Sequence, residues 1–429
     1  MRAMKIQIAW GLALASLLAG CKKPPPAGRP KDVCAGVKAE TDCAAAPEGP
    51  LPKGFSKAAN CYDVGNQQFH CGLFEAASAS FEKSALMHPS ARTQHALGEA
   101  YYLQERWAAA QTAFSKAVAL DPKKRESWVR LADVEVRLGH PAAAHADVRK
   151  ALGLDPDQAD AMQVDANAFV AEGKYGPAID ALRRAEAHGN PAQVLAATAQ
   201  EVQACTLQVR MQQRHKAGLD ALAQAQGQLA DALGRQLALL SKAPAGDQLR
   251  VTRPLADARL ASGDMRGAEE ALEATAKLDP KDFVSLRMVA LIREHRGDAP
   301  GARAAVKASL AVQPKQAMPF IVLGRLDLAA GDTAAAKADF DRALANETGK
   351  DATETRQLAG LAMKVGALDK AEALLEALDA DPGIASQVDF WLERARASAA
   401  LHHGDKVKAA CARAHALVET ATCPPAPAK

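Results

Sequence analysis

Ser80-Phe81-Glu82-Lys83 has the spacing in which a lysine one helical turn away can take the proton of a nucleophilic serine. The Ser-Asp-Asn and Lys-Thr-Gly companions of such a pair are missing, so the pair has no catalytic setting. Near the C-terminus, His402, His403, Cys411, His415 and Cys423 supply the residue types of a zinc site, and Cys411 and His415 stand one turn apart. A Cys411–Cys423 disulfide flanked by exposed histidines accounts for the same residues and is the favoured reading. The chain has no His-Glu-x-x-His, no Gly-x-Ser-x-Gly and no glycine-rich phosphate loop. It therefore reads as a non-enzyme, with no cofactor, metal or small-molecule substrate expected.

Cys21 carries a different chemistry. Arg2 and Lys5 precede an apolar stretch from Ile6 to Leu18, too short to span a bilayer, as in an export signal. The stretch ends in Leu18-Ala19-Gly20-Cys21, which resembles the lipobox of bacterial lipoproteins. That resemblance implies a signal peptide over residues 1–20 and a Cys21 thiol that receives a diacylglycerol, with palmitate-type chains holding the protein on a membrane. Lys22, where an aspartate would retain the protein on the inner membrane, implies the outer membrane, facing the periplasm. After the signal no apolar run is long enough to form a second anchor.

Export places the seven remaining cysteines in an oxidising compartment. Two disulfides are expected among Cys34, Cys43, Cys61 and Cys71, and one between Cys411 and Cys423, with Cys205 outside any bridge. Four cysteines allow three pairings. A helix over residues 60–70 would hold Cys61 and Cys71 about 15 Å apart, which favours bridges from the Cys34–Cys43 loop onto the first helix pair.

The elements that position these residues are helical. The 429-residue chain is 48% hydrophobic but only 4% aromatic, a balance suited to helices packed through alanine and leucine rather than to a β-sandwich. Its net charge of +3, with both signs interleaved, lacks the concentrated basic stripe of a nucleic-acid binder. Glycine is followed five residues later by alanine at Gly72/Ala77, Gly139/Ala144, Gly173/Ala178, Gly263/Ala268, Gly297/Ala302, Gly331/Ala336, Gly366/Ala371 and Gly404/Ala409. Several of these steps are thirty-four residues, and Pro122, Pro156, Pro280 and Pro314 recur in phase.

Leu97, Gly98, Tyr101, Ala110, Phe114, Ala117 and Pro122 fall at the spacings of the tetratricopeptide repeat, with Gln94 in place of its tryptophan. Trp128, Leu131, Ala144 and Pro156, then Phe320, Leu323, Gly324, Ala336, Phe340 and Ala343, restate the pattern, and the chain resembles that family. The resemblance implies an all-α, right-handed superhelical array of antiparallel helix pairs. Arrays are expected over residues 58–190 and 249–421, as two lobes separated by a Gln-rich helical insertion over 191–248. The insertion reads as one or two long helices with breaks near Gly218 and Gly234, or as two degenerate repeats. Residues 21–57 form a lipid-anchored Pro/Cys-rich tether and 422–429 a C-terminal tail.

The family lines a concave groove with the first helix of each repeat. Carried over, this implies His95, Glu99, Tyr102, Glu126, Val129, Asp133, Arg137, Gln163 and Asn167 in the front lobe. The back lobe contributes Arg250, Arg253, Arg287, Glu294, His295, Ile321, Arg325 and Arg356. Arg253, Arg287 and Arg356 would form a wall suited to carboxylates, unless neighbouring acids already oppose them. A triple alanine variant is expected to stay folded. The resulting expectation is a periplasmic scaffold that binds protein partners during assembly of an envelope machine for outer-membrane proteins, pili or polysaccharide export. The alternative is a glycan- or peptidoglycan-binding subunit using Tyr101, Tyr102 and Trp107.

Overall fold

The computed structural model describes residues 34, 36–39, 42–44 and 56–425. The signal peptide, Cys21 and the prolines of the tether lie outside the described residues, as does the end of the tail. Among the described residues there are twenty-one helices and no strand, so the fold is all-α. The chain divides into two compact units at Ala204/Cys205.

In the first unit, α1 (Lys57–His70) pairs with α2 (Phe74–Met87) and α3 (Ala91–Leu103) with α4 (Trp107–Leu120). Likewise α5 (Arg125–Arg137) pairs with α6 (Pro141–Leu154) and α7 (Ala159–Ala171) with α8 (Tyr175–His188). Each pair packs on the next, because a single hairpin leaves one apolar face uncovered. A Cβ at Gly98 would meet the Phe114 ring at 2.6 Å, so glycine here is what lets α3 and α4 close. The long helix α9 (Pro191–Arg214) runs through the division between the units.

The second unit contains α10 (Leu219–Leu239), then the pairs α11 (Ala245–Ser262) with α12 (Met265–Leu278) and α13 (Phe283–His295) with α14 (Ala299–Val312). They are followed by α15 (Met318–Ala329) with α16 (Thr333–Asn346), and α17 (Ala352–Lys364) with α18 (Leu368–Glu376). The short α19 (Pro382–Ala385) precedes the last pair, α20 (Val388–Ala400) with α21 (Gly404–Leu417). Asp264, Asp282, Asp298, Asp332 and Asp351 cap the helices they precede by accepting backbone N–H bonds. Within the Gln-rich segment the break falls at residues 215–218, while Gly234 lies inside α10.

Paired helices turn through one left-handed residue, which frees the chain to reverse and satisfies the last carbonyls of the first helix. Glycine holds this place at 72, 139, 173, 263, 297, 331 and 366. Glu105, with φ 59°, and His402, with φ 61°, take it in two further turns, and Lys216, with φ 50°, does so after α9. The Gly404/Ala409 pair is thus corrected: His402 makes the turn and Gly404 begins α21. Each side chain in this region costs about 1 kcal/mol through its Cβ. Glu105→Gly and His402→Gly are therefore expected to stabilise by roughly 0.5–1 kcal/mol each, as read by urea unfolding. A loss of stability would show that those side chains hold the turn.

Cys34 is bonded to Cys71 and Cys43 to Cys61, with Cα atoms 5.7 and 4.6 Å apart. The bridges tie Cys43 to α1 and Cys34 to the residue that caps it. Gln68 donates to the Lys38 carbonyl at 2.9 Å and Asn60 to that of Cys43 at 2.7 Å. Cys411 is bonded to Cys423 at the other end, and Cys205 is buried outside any disulfide.

Candidate partner-binding surface

In the first unit the groove residues form a stitched network. Arg130 on α5 donates to Glu99 on α3 at 2.6 Å, and Tyr102 donates to Asp133. Arg137 donates to the Tyr102 hydroxyl at 2.6 Å. The guanidiniums of Arg130 and Arg137 lie 5.2 and 4.9 Å from the Tyr102 ring, and Arg137 also stacks on Trp107 at 4.7 Å. Burial and the Asp133 carboxylate both push the Tyr102 phenol up, so it stays protonated. Burial pushes His95 down to about 4, and the neutral ring shares a hydrogen bond of 2.9 Å with Ser127. The front acids are thus matched, Glu99 by Arg130, Asp133 by Arg137 and Glu126 by Arg125 at 3.1 Å. Sequence reasoning omitted Arg130, although it lies 31 residues from Glu99, close to one repeat.

Two residues assigned to the groove do not line it: Val129 and Ile321 are buried in the cores of their units. Tyr101 is likewise buried and donates to Glu82. With Tyr101 inside and two cations over Tyr102, the aromatic set proposed for sugars is already engaged.

In the second unit the arginines meet acids from adjacent repeats. Arg253 on α11 donates to Asp282, the cap of α13, at 2.6 Å. Arg325 on α15 grips Glu294 on α13 with two bonds of 2.6 and 2.7 Å and reaches Gln357 on α17 at 2.9 Å. Arg356 on α17 grips Glu393 on α20 at 2.8 and 3.0 Å. Hydrogen bonding to Glu393 raises the Arg356 pKa further, as expected of a two-pronged pair.

Arg287 departs from this series. Its Nε is buried and has no hydrogen-bond partner, and no carboxylate lies within ion-pair distance of it among the described residues. Leu291 and His295 follow it at four-residue steps on α13. They border, with Glu294, Arg325 and Gln357, a cleft of about 370 Å³. The wall of arginines is therefore unequal. Two members act between repeats, so the triple alanine variant would lose stability as well as charge, and Arg287 is the member to test alone.

The remaining constellations serve structure. Ser80 is buried and donates to Gln68 at 2.8 Å, while Lys83 is exposed and pairs with Asp42 at 3.4 Å. Cys411 is in its disulfide, His403 meets Glu372 at 2.9 Å, and His415 bonds the Ala421 carbonyl at 2.9 Å. Among the described residues no group of three or more His, Cys, Asp or Glu side chains could hold a metal. No described helix is long and apolar enough to cross a membrane.

The tetratricopeptide-repeat family profile matches residues 91–124, and a second profile of the same description matches 129–193 and 253–317. No curated protein matches the chain. Similar solved structures include MamA, 22% identical over 30% of this chain and 75% of that one, with a TM-score of 0.29. The Cut9–Hcn1 hetero-tetramer of APC/C is 11% identical over 85% of this chain and 88% of the other, with a TM-score of 0.35. Yeast Tom70 is 13% identical over 85% and 92% respectively, with a TM-score of 0.34. Superpositions this loose do not bear on function.

Proposed function

The chain is a tetratricopeptide-repeat protein, a scaffold class that works through protein–protein contacts, and from that premise we propose a lipid-anchored scaffold on the periplasmic face of the outer membrane. It gathers a protein partner during assembly of an envelope machine, such as one for outer-membrane proteins, pili or polysaccharide export. The observation that carries the reading is Arg287, whose counterparts are committed to acids of their own chain while it is not. One nitrogen of this half-buried guanidinium is enclosed without an acceptor, and Glu354 acts on the charge without forming an ion pair, so a partner's acid gains more there than at the paired arginines. Three disulfides support an oxidising compartment, and Leu18-Ala19-Gly20-Cys21 supports the anchor.

Capture from detergent-solubilised envelopes on the immobilised protein, followed by mass spectrometry, tests the scaffold reading. Specific recovery of an envelope protein is expected; recovery of glycan alone would overturn it. For the anchor, Cys21→Ser is expected to move the protein from the detergent phase to the aqueous phase of a Triton X-114 partition. Persistence in detergent would mean that something other than a lipid on Cys21 holds it.

A further inference from the structure

A second cleft, of about 560 Å³, opens in the same unit among α10, α11 and α12. Eleven residues before the left-handed turn, three pairs place a large aromatic side chain, Trp128 before Gly139, Phe320 before Gly331 and Trp391 before His402, while others place a small one, Cys61 before Gly72 and Thr355 before Gly366. At the same place before Gly263 stands Thr252, without the volume of an aromatic ring. Gly234 and Ala238 on α10 and Ala274 on α12 keep the opposing walls low.

The chemistry of the cleft is that of an amphiphile site. Leu237, Leu255 and Leu278 supply apolar wall. Thr252 is fully buried and its hydroxyl has no hydrogen-bond partner, whereas Thr355, at the same repeat position, donates to Glu347 at 2.6 Å. Antiparallel pairing of α11 with α12 brings Thr252 level with the last turn of α12, where Lys277 is exposed at the rim and makes no ion pair among the described residues. Glu270 stands two turns away, at the other end, engaged with Arg266 at 3.8 Å. Arg259, also on the lining, is engaged by the Gly267 carbonyl at 2.6 Å and by Asp264 at 3.7 Å, which leaves Lys277 as the cleft's cation without an ion pair among the described residues. The volume lies within the roughly 300–1,000 Å³ of small-molecule sites.

We propose that this cleft binds a free single-chain fatty acid, its carboxylate at Lys277 and Thr252 and its chain along Leu237, Leu255 and Leu278. The site is separate from the arginine-bearing groove and does not depend on the scaffold reading.

The test is calorimetric titration of the detergent-free full chain with dodecanoate below its micellar range, and in parallel with dodecyltrimethylammonium. Saturable one-to-one binding of dodecanoate is expected, at least about tenfold tighter than the cationic chain. Lys277→Glu, an exposed change that leaves the helices intact by circular dichroism, is expected to remove that preference. Thr252→Trp, which puts there the residue type of Trp128 and Trp391, is expected to fill the cleft and abolish binding. No dodecanoate binding by the parent, equal binding of both head groups, or full binding by Lys277→Glu would each overturn the proposal.

Discussion

Glu372→Ala is expected to destabilise the end of the second unit by about 3–5 kcal/mol, the range for breaking a buried ion network by removing one partner. Glu372 on α18 is nearly buried and accepts from Ser398 at 2.7 Å, Lys406 at 2.8 Å and His403 at 2.9 Å. Arg394, also nearly buried, stands 3.7 Å away and continues to Glu376 at 2.8 Å. One carboxylate therefore ties α18 to both helices of the last pair. Burial alone would raise its pKa, but hydrogen bonds from Lys406, Ser398 and His403 hold it down to about 2. A depressed carboxylate gives stability that is present above its unfolded value, near 4.5, and lost as pH falls through the folded value. Hydrogen exchange over residues 388–417 is the local readout. Protection should fall steeply in Glu372→Ala at neutral pH, and between pH 4 and 2 in the parent. Unchanged exchange in the variant would mean that Arg394 finds its compensation elsewhere.

Reduction of the N-terminal disulfides is expected to be the next largest effect. The bridges close loops of 37 and 18 residues, each worth about 3–4 kcal/mol in chain entropy. The loops overlap, so the two contributions add incompletely. The described residues between Cys34 and Ala44 reach α1 through a few polar bonds and the buried Cys43 and Cys61, which is too little to hold them without the bridges. A fall of roughly 10–20 °C in the melting of the first unit is expected in a phosphine reductant. Cys34→Ser with Cys43→Ser should reproduce it without reductant, and an unshifted melt in both experiments would show that the bridges restrain nothing.

The repeat grammar was legible because it rests on steric rules: a left-handed residue ends one helix, and small residues let its partner approach. Glu105, Lys216 and His402 escaped the glycine search because they occupy the same conformation against their own preference. The arginines were found, but their partners were hidden by distance along the chain. Arg253 and Asp282, Arg325 and Glu294, and Arg356 and Glu393 lie 29, 31 and 37 residues apart, close to one repeat, so a period-aware search for opposite charge would have paired them. Thr252 escaped for the opposite reason, since what matters there is the bulk that the repeat omits.

We propose that this scaffold receives an acidic group of its partner at Arg287. Binding of the partner captured from envelopes should be measured for the parent, Arg287→Ala and Arg253→Ala at low and high salt. Exposed charge attraction weakens as the Debye length falls from about 10 Å at 0.1 M to 3 Å at 1 M. Arg287→Ala should weaken binding about tenfold or more at low salt and flatten the salt dependence, with its circular dichroism unchanged. Arg253→Ala, whose guanidinium already holds Asp282, should bind nearly as the parent does. Parental affinity in Arg287→Ala at low salt would contradict the account and place recognition elsewhere on the repeats.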